Sequence, residues 1–125
     1  MPKAKPTKIS WRSDAKAHDY PAAESYLSLL YGRDQVRGMV KRLKSAPVVE
    51  FKAKDIFRAA RLALLGVGNS HVKEDLEKMR DGQKLSPLLL VRNEEIGQVV
   101  IADGYHRLCA VYDFDEDAGI PCKIV

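Results

Sequence analysis

Residues 99–110 read VVIADGYHRLCA, and this stretch restricts the fold more than any other. A run of β-forming residues stops at Asp103-Gly104, and a helix-like run begins at once. A strand that passes directly into a helix places the chain among the mixed α and β folds. The helix start also poses a problem. Its first turn carries His106 and Arg107, yet a helix N-terminus already has unpaired N–H groups and partial positive charge. Cations are tolerable there only if something anionic sits among them.

The remaining segments supply the partners such a unit needs. PAAESYLSLLYG, residues 21–32, predicts a helix with Pro21 in its first turn and Ala23, Leu27 and Leu30 on one face. Gly32 breaks it. A second helix follows from Arg33, with Val36, Met39, Val40 and Leu43 as its apolar stripe, and Pro47 stops it. The two make a helical hairpin over residues 19–46. Residues 48–53 alternate as a strand, and Asp55 is placed to cap a short helix through residues 56–64. After the loop GVGNS, Asn69 or Ser70 caps a helix that buries Val72, Leu76 and Met79. SPLLLVRN and QVVIAD are strands around the turn EEIG, the helix from Gly104 packs Leu108, Val111 and Tyr112 inward, and CKIV is a closing strand. The expected fold is α/β (α+β), a small mixed sheet with flanking helices preceded by the helical hairpin.

Charge divides the chain. Residues 1–64 carry 14 Lys/Arg and 6 Asp/Glu, whereas residues 65–125 carry 7 and 11. Residues 1–18 are lysine- and proline-rich and read as a flexible basic arm, in which Trp11 alone could pin the arm to the domain. Arg33, Arg37, Lys41 and Lys44 form a basic stripe that could follow a nucleic-acid backbone such as DNA, or be a solvated helix face. No apolar stretch is long enough to span a bilayer, so no membrane association is expected. Cys109 and Cys122 lie in apolar runs without metal-ligand spacing and read as reduced core thiols, which favours a cytoplasmic location. Asp113, Asp115 and Asp117 lack the glycine and glutamate of an EF-hand loop and read as an acidic turn. His18 and His71 have no partner spacing, so no metal site is expected.

Two readings of the Asp-Gly-Tyr-His-Arg segment follow. In one, Gly104 permits close backbone approach, the following N–H groups and the Arg107 guanidinium face a bound phosphate, His106 adds a donor, and Asp103 caps the helix or serves a metal or hydroxyl. In the other, Asp103 caps, Arg107 pairs with a nearby carboxylate and His106 is solvated.

PLLLV at 87–91, IADGYHRLCA at 101–110 and IPCKIV at 120–125 together resemble the ParB/sulfiredoxin-type domain. The shared pattern is a Pro-led strand, a second strand, a Gly-x-x-Arg-x-x-Ala helix opening and a closing strand. HVKEDLEKMRDGQKLSP resembles the helix that precedes the Pro-led strand, and VVEFKAKDIFRA the entry segment. The resemblance spans residues 47–125 and is most specific at the Gly-x-His-Arg box. In partition proteins of this type the box binds the phosphates of CTP. In sulfiredoxins a Gly-Cys-His-Arg box binds ATP phosphates and supplies a catalytic cysteine, and in related free-serine kinases a similar box serves phosphate transfer. The resemblance therefore implies phosphate contacts from Gly104, His106 and Arg107, with Tyr105 between them, and ATP or CTP with Mg²⁺ as ligand. Arg58 and Arg61 would add contacts if their helix faces the box.

The departures narrow the chemistry. Tyr105 stands where sulfiredoxins have cysteine, and Cys109 lies one turn further on, so sulfinic acid reduction is not expected. The partition proteins' continuation and helix-turn-helix DNA reader have no counterpart before Val125, so a centromere clamp is not expected either. The kinase's acidic base has no clear match. Asp55 is the first candidate and Glu50 the second. Three functions remain: a nucleotide- or phosphate-binding module, a phosphotransferase or nucleotidase using Asp103, His106 or Asp55, and an interaction protein with a vestigial box.

Overall fold

A computed structural model describes residues 8–125; part of the expected basic arm, residues 1–7, lies outside the described residues. Five helices and four strands follow the order α1 (Asp19–Leu27), α2 (Arg33–Ser45), β1 (Val49–Lys52), α3 (Ala53–Ala60), α4 (Ser70–Arg80), β2 (Leu88–Asn93), β3 (Gln98–Asp103), α5 (Tyr105–Phe114) and β4 (Gly119–Ile124). The strands form one mixed sheet in the order β1-β4-β2-β3. The β1–β4 and β2–β3 pairs are antiparallel, and β2–β4 is parallel. The fold is α+β.

The continuous apolar run in β2 is explained by burial on both sides. Leu88 and Leu90 enter a core with α3, α4 and α5, while Leu89 and Val91 enter a second core with α1 and α2. β3 repeats the alternation, with Ile101 in the first core and Ala102 in the second. Period-2 alternation puts successive side chains on opposite faces, so a strand that is apolar at every position needs helices on both. The hairpin α1–α2 supplies one layer through Ala23, Leu27, Val36, Val40 and Leu43. α3, α4 and α5 supply the other.

Proline is rare in a central strand, yet β4 contains Pro121. Ala53 N–H donates to Ala118 O, and Phe51 faces Ile120 while Val49 faces Cys122. The even-numbered residues of β4 therefore bond toward β1. The ladder to β2 starts at Leu88–Cys122, one residue beyond Pro121. The missing N–H falls where no acceptor waits.

Several boundaries differ from the sequence expectation. α1 starts at Asp19 and stops at Leu27, so Leu30 falls off the expected apolar face and is half exposed. α3 begins at Ala53 with Lys52 as N-cap, which leaves Asp55 inside the first turn rather than capping it. It ends at Arg61, whose φ of 57° is left-handed and terminates the helix well before residue 64. Asn69 provides the α4 cap, accepting from the N–H groups of His71 and Val72. β4 starts at Gly119, three residues before the expected strand.

From Lys8 onward the segment expected to be a flexible arm is tied to the domain. Trp11 pairs with Leu85, Leu85 N–H donates to Ser10 O, and Arg12 N–H donates to Leu85 O at 2.8 Å. Asp14 reaches Lys123, whose side chain is only 3% exposed. The Lys123 ammonium donates to Asp14 (3.0 Å), to the Tyr20 hydroxyl (3.0 Å) and to Lys44 O (2.8 Å), which uses all three of its protons. Burial alone would favour the neutral amine, but the bonds to Tyr20 and Asp14 outweigh it and hold the pKa above 10.5. One buried cation thus joins the N-terminal segment, α1, the end of α2 and β4. Lys123→Met keeps the volume but takes the side-chain donor from the Lys44 carbonyl and from Asp14, and leaves the Tyr20 hydroxyl only its bond to Asp14. It should lower unfolding free energy by about 1–3 kcal/mol in urea melts.

Candidate functional site

The strand-to-helix turn at the end of β3 meets α4 and forms a cavity of about 200 Å³. α4 supplies His71, Glu74, Asp75 and Lys78 to its lining, and the turn supplies Asp103 through Arg107. Spacing explains the α4 contribution, because residues 71, 74, 75 and 78 share one helical face while Val72, Leu76 and Met79 occupy the buried one.

Gly104 fixes the geometry of the turn. Its φ is +106°, and a Cβ built there would lie 2.8 Å from Leu88 Cγ and 2.9 Å from an Arg107 nitrogen. Only glycine meets both the backbone angle and the contact. The turn lets Asp103 reach forward to Arg107, with Oδ2 2.9 Å from Nη2. Both side chains are more than four-fifths buried. The Arg107 Nη2 also lies 3.4 Å from Pro87 O, while its buried Nε has no partner among the described residues. Asp103 does not cap the helix: Gly104 holds the N-cap position and no side chain bonds to the first turn. The expected cap has turned to the arginine, so the carboxylate beside Arg107 is Asp103 itself, the residue the second reading placed at the cap. α5 consequently opens on the cavity with its first N–H groups uncapped.

His106 is not isolated. Its ring lies 4.9 Å from that of His71, tilted by 49°, so the histidine read as lone has a partner on α5. Sequence reasoning also passed over Asp75, four residues beyond His71 on the same face. Its side chain is 13% exposed and lies 3.9 Å from Lys78. The legible signal was the i, i+4, i+7 spacing of His71, Asp75 and Lys78. Burial raises the Asp75 carboxyl above its ordinary 3.8, against the pull of Lys78, Arg107 and His106. Burial raises Asp103 as well, despite Arg107 beside it.

The other sequence candidates are dispersed. Tyr105 lines the cavity, but its hydroxyl donates to Ala63 O in the loop before α4, so its backbone N–H rather than its phenol is open to a ligand. Asp55 lines a different cavity with Phe51, Ile56 and Arg92, and lies within ion-pair reach of Arg58 (4.0 Å). It is not brought to His106. Arg58 is largely exposed, and neither it nor Arg61 lines the His106 cavity. Glu50 packs against Gly119 in the sheet. Arg33, Arg37, Lys41 and Lys44 are exposed on α2, in the layer opposite α4 and α5. Lys44 Nζ sits 5.7 Å from the centre of the Tyr20 ring. Among the described residues no group of three or more His, Cys, Asp or Glu side chains is arranged to hold a metal ion. Both cysteines are free and buried, and burial pushes Cys122 up to about 12.

A second hollow adjoins the first and shares Asp75, Lys78 and Arg107 with it. Lys16, His18 and Lys84 line its far side. The two form a cleft along α4, with Arg107 at their common wall.

No protein-family model matches the chain, and neither the curated proteins nor the solved structures contain a match to it.

Two outcomes follow. Gly104→Ala should cost about 2–4 kcal/mol from the left-handed backbone and the overlap with Leu88, read as a lowered thermal midpoint. Because Asp75 and Asp103 bind protons more tightly folded than unfolded, their contribution to stability is present below pH 3.8 and is lost as pH rises through their raised values. Asp75→Asn should flatten that part of the stability-versus-pH curve measured by urea denaturation.

Proposed function

We propose that the protein binds a phosphate-bearing ligand, a nucleotide such as ATP or CTP with Mg²⁺, in the cavity at the start of α5. The observation that carries this reading is the uncapped α5 N-terminus opening on that cavity beside a buried guanidinium. Backbone N–H groups of Tyr105, His106 and Arg107 are suited to phosphate oxygens, and the aligned helix dipole favours negative charge there. The Arg107 Nε has a proton to give and no acceptor among the described residues. Lys78 and His71 add donors from the facing wall, and His106 adds one from α5 itself. The resemblance carried by the Gly104–Arg107 box points to the same ligand class.

Asp103 competes with the ligand for Arg107. In the free protein its carboxylate is the anion that makes a cation bearable at this helix end. A phosphate would take up the N–H groups that Asp103 leaves open and share the guanidinium with it. Asp75 and Glu74 set the opposing charge, so binding is favoured when Asp75 is protonated.

The His71–His106 pair beside Asp75 supports a second reading, phosphoryl transfer at the same site with an imidazole moving the proton. A phosphotransferase acting in the cytoplasm, where the two buried thiols stay reduced, would use the same ligand. Contact with nucleic acid through Arg33, Arg37, Lys41 and Lys44 would be a separate property of the opposite layer.

Isothermal titration with ATP and CTP, with and without Mg²⁺, tests the binding claim. Saturable heat is expected for the wild type. Arg107→Ala should remove it, His106→Ala should weaken it, and Asp103→Asn should tighten binding by freeing the guanidinium. Absence of heat with every nucleotide would overturn the reading.

A further inference from the structure

The outer edge of the sheet points to a partner. β1 is an edge strand, and all four of its residues are exposed. Val48, Val49 and Phe51 leave more than a third of their surface in solvent, whereas the apolar residues of β2, β3 and β4 are buried or partly buried. The direction of the β1 backbone follows from its ladder. Val49 and Phe51 are the residues that bond to β4: Ala53 N–H continues their odd-numbered series to Ala118 O, and Pro121, opposite Glu50, has no N–H to offer. The N–H and C=O groups of Glu50 and Lys52 therefore face away from the sheet. The Lys52 carbonyl is the N-cap acceptor of α3, whereas both groups of Glu50 and the N–H of Lys52 lie outside the ladder to β4.

We infer that β1 pairs with β1 of a second copy of this chain, antiparallel, about a two-fold axis at Phe51. In that register Glu50 lies opposite Lys52 of the partner, and Lys52 opposite the partner's Glu50. These are the residues whose backbone groups point outward, so each opposing pair stands in the hydrogen-bonded position: Lys52 N–H donates to the Glu50 carbonyl of the other copy, and Glu50 N–H shares the opposing Lys52 carbonyl with the first turn of α3. The same two pairs place opposite charges side by side on one face. On the other face the two Phe51 side chains meet at the axis, in the non-hydrogen-bonded position where opposing side chains approach most closely. Backbone polarity, charge and apolar surface are satisfied by one register. Moving the axis to Glu50 sets two glutamates against each other and loses that match. An edge lysine ordinarily discourages pairing; here Glu50 of a second copy is placed to neutralise it. The product is an isologous dimer with a continuous eight-stranded sheet, and the α4–α5 cavity has no part in the contact.

Sedimentation equilibrium of the full chain reads the claim. The wild type should show a concentration-dependent dimer. Lys52→Pro is the sharpest variant, because Lys52 has φ −71° and ψ 142°, which proline adopts, and its N–H bonds nothing within the protomer. It should be monomeric with an unchanged thermal midpoint. Glu50→Lys should weaken the dimer, and Glu50→Lys with Lys52→Glu should restore it. Phe51→Cys should form a disulfide between protomers on mild oxidation, since opposed residues at this position have the Cα spacing a disulfide needs. A wild type that stays monomeric to its solubility limit overturns the inference. A dimer that survives Lys52→Pro, or that gives no Phe51→Cys cross-link, overturns it as well.

Discussion

The requirement that β2 bury both of its faces organises the molecule. Leu88 and Leu90 point one way and Leu89 and Val91 the other, and each pair is fully or almost fully removed from water. A strand of this kind is stable only between two apolar layers. The α1–α2 hairpin meets the demand on one side and α3, α4 and α5 on the other. Burial on this scale, at roughly 25 cal/mol per Å² of apolar surface, exceeds what any of the surface ion pairs contributes. Lys123 completes the arrangement from within, because its three bonds fasten the N-terminal segment and the hairpin to the sheet.

The candidate site is a consequence of the same packing. β3 runs beside β2 and ends at Asp103, and α5 must turn back at once to cover Leu88. Gly104 makes that reversal possible, at a φ and a contact distance that exclude a side chain. The tight turn sends Asp103 to Arg107 instead of to the helix cap. Two charges that would each be costly to bury alone become tolerable as a hydrogen-bonded pair, while the first N–H groups of α5 stay open. The site thus combines an arginine paired through Nη2 but not through Nε with open backbone donors, and the proposed phosphate answers that need.

Much of this was legible in the sequence. The strand-to-helix break at Asp103-Gly104, the apolar stripes of α2 and α4 and the unbroken apolar run of β2 follow from local periodicity, which needs no tertiary information. The boundaries were less legible. The expected end of α1 lay beyond Leu27, and the left-handed Arg61 gave no residue-type signal, since glycine or asparagine is the usual sign of such a stop. The site was half readable. The Gly104–Arg107 box announced itself by its misplaced cations, but Asp103 reads as a helix cap until the turn geometry is known. His71 and Asp75 come from a helix about thirty residues away, and their approach to His106 depends on how α4 packs against α5. Lys123 illustrates the same limit: nothing in CKIV marks its lysine as buried.

The central claim is that the uncapped start of α5 receives a phosphate-bearing ligand. Amide chemical-shift perturbation on titration with ATP and with CTP is the most direct measurement. The account predicts saturable shifts centred on the backbone N–H groups of Tyr105, His106 and Arg107, with smaller ones at His71 and Lys78. Shifts confined to the basic face of α2, or no shifts with either nucleotide, would contradict it.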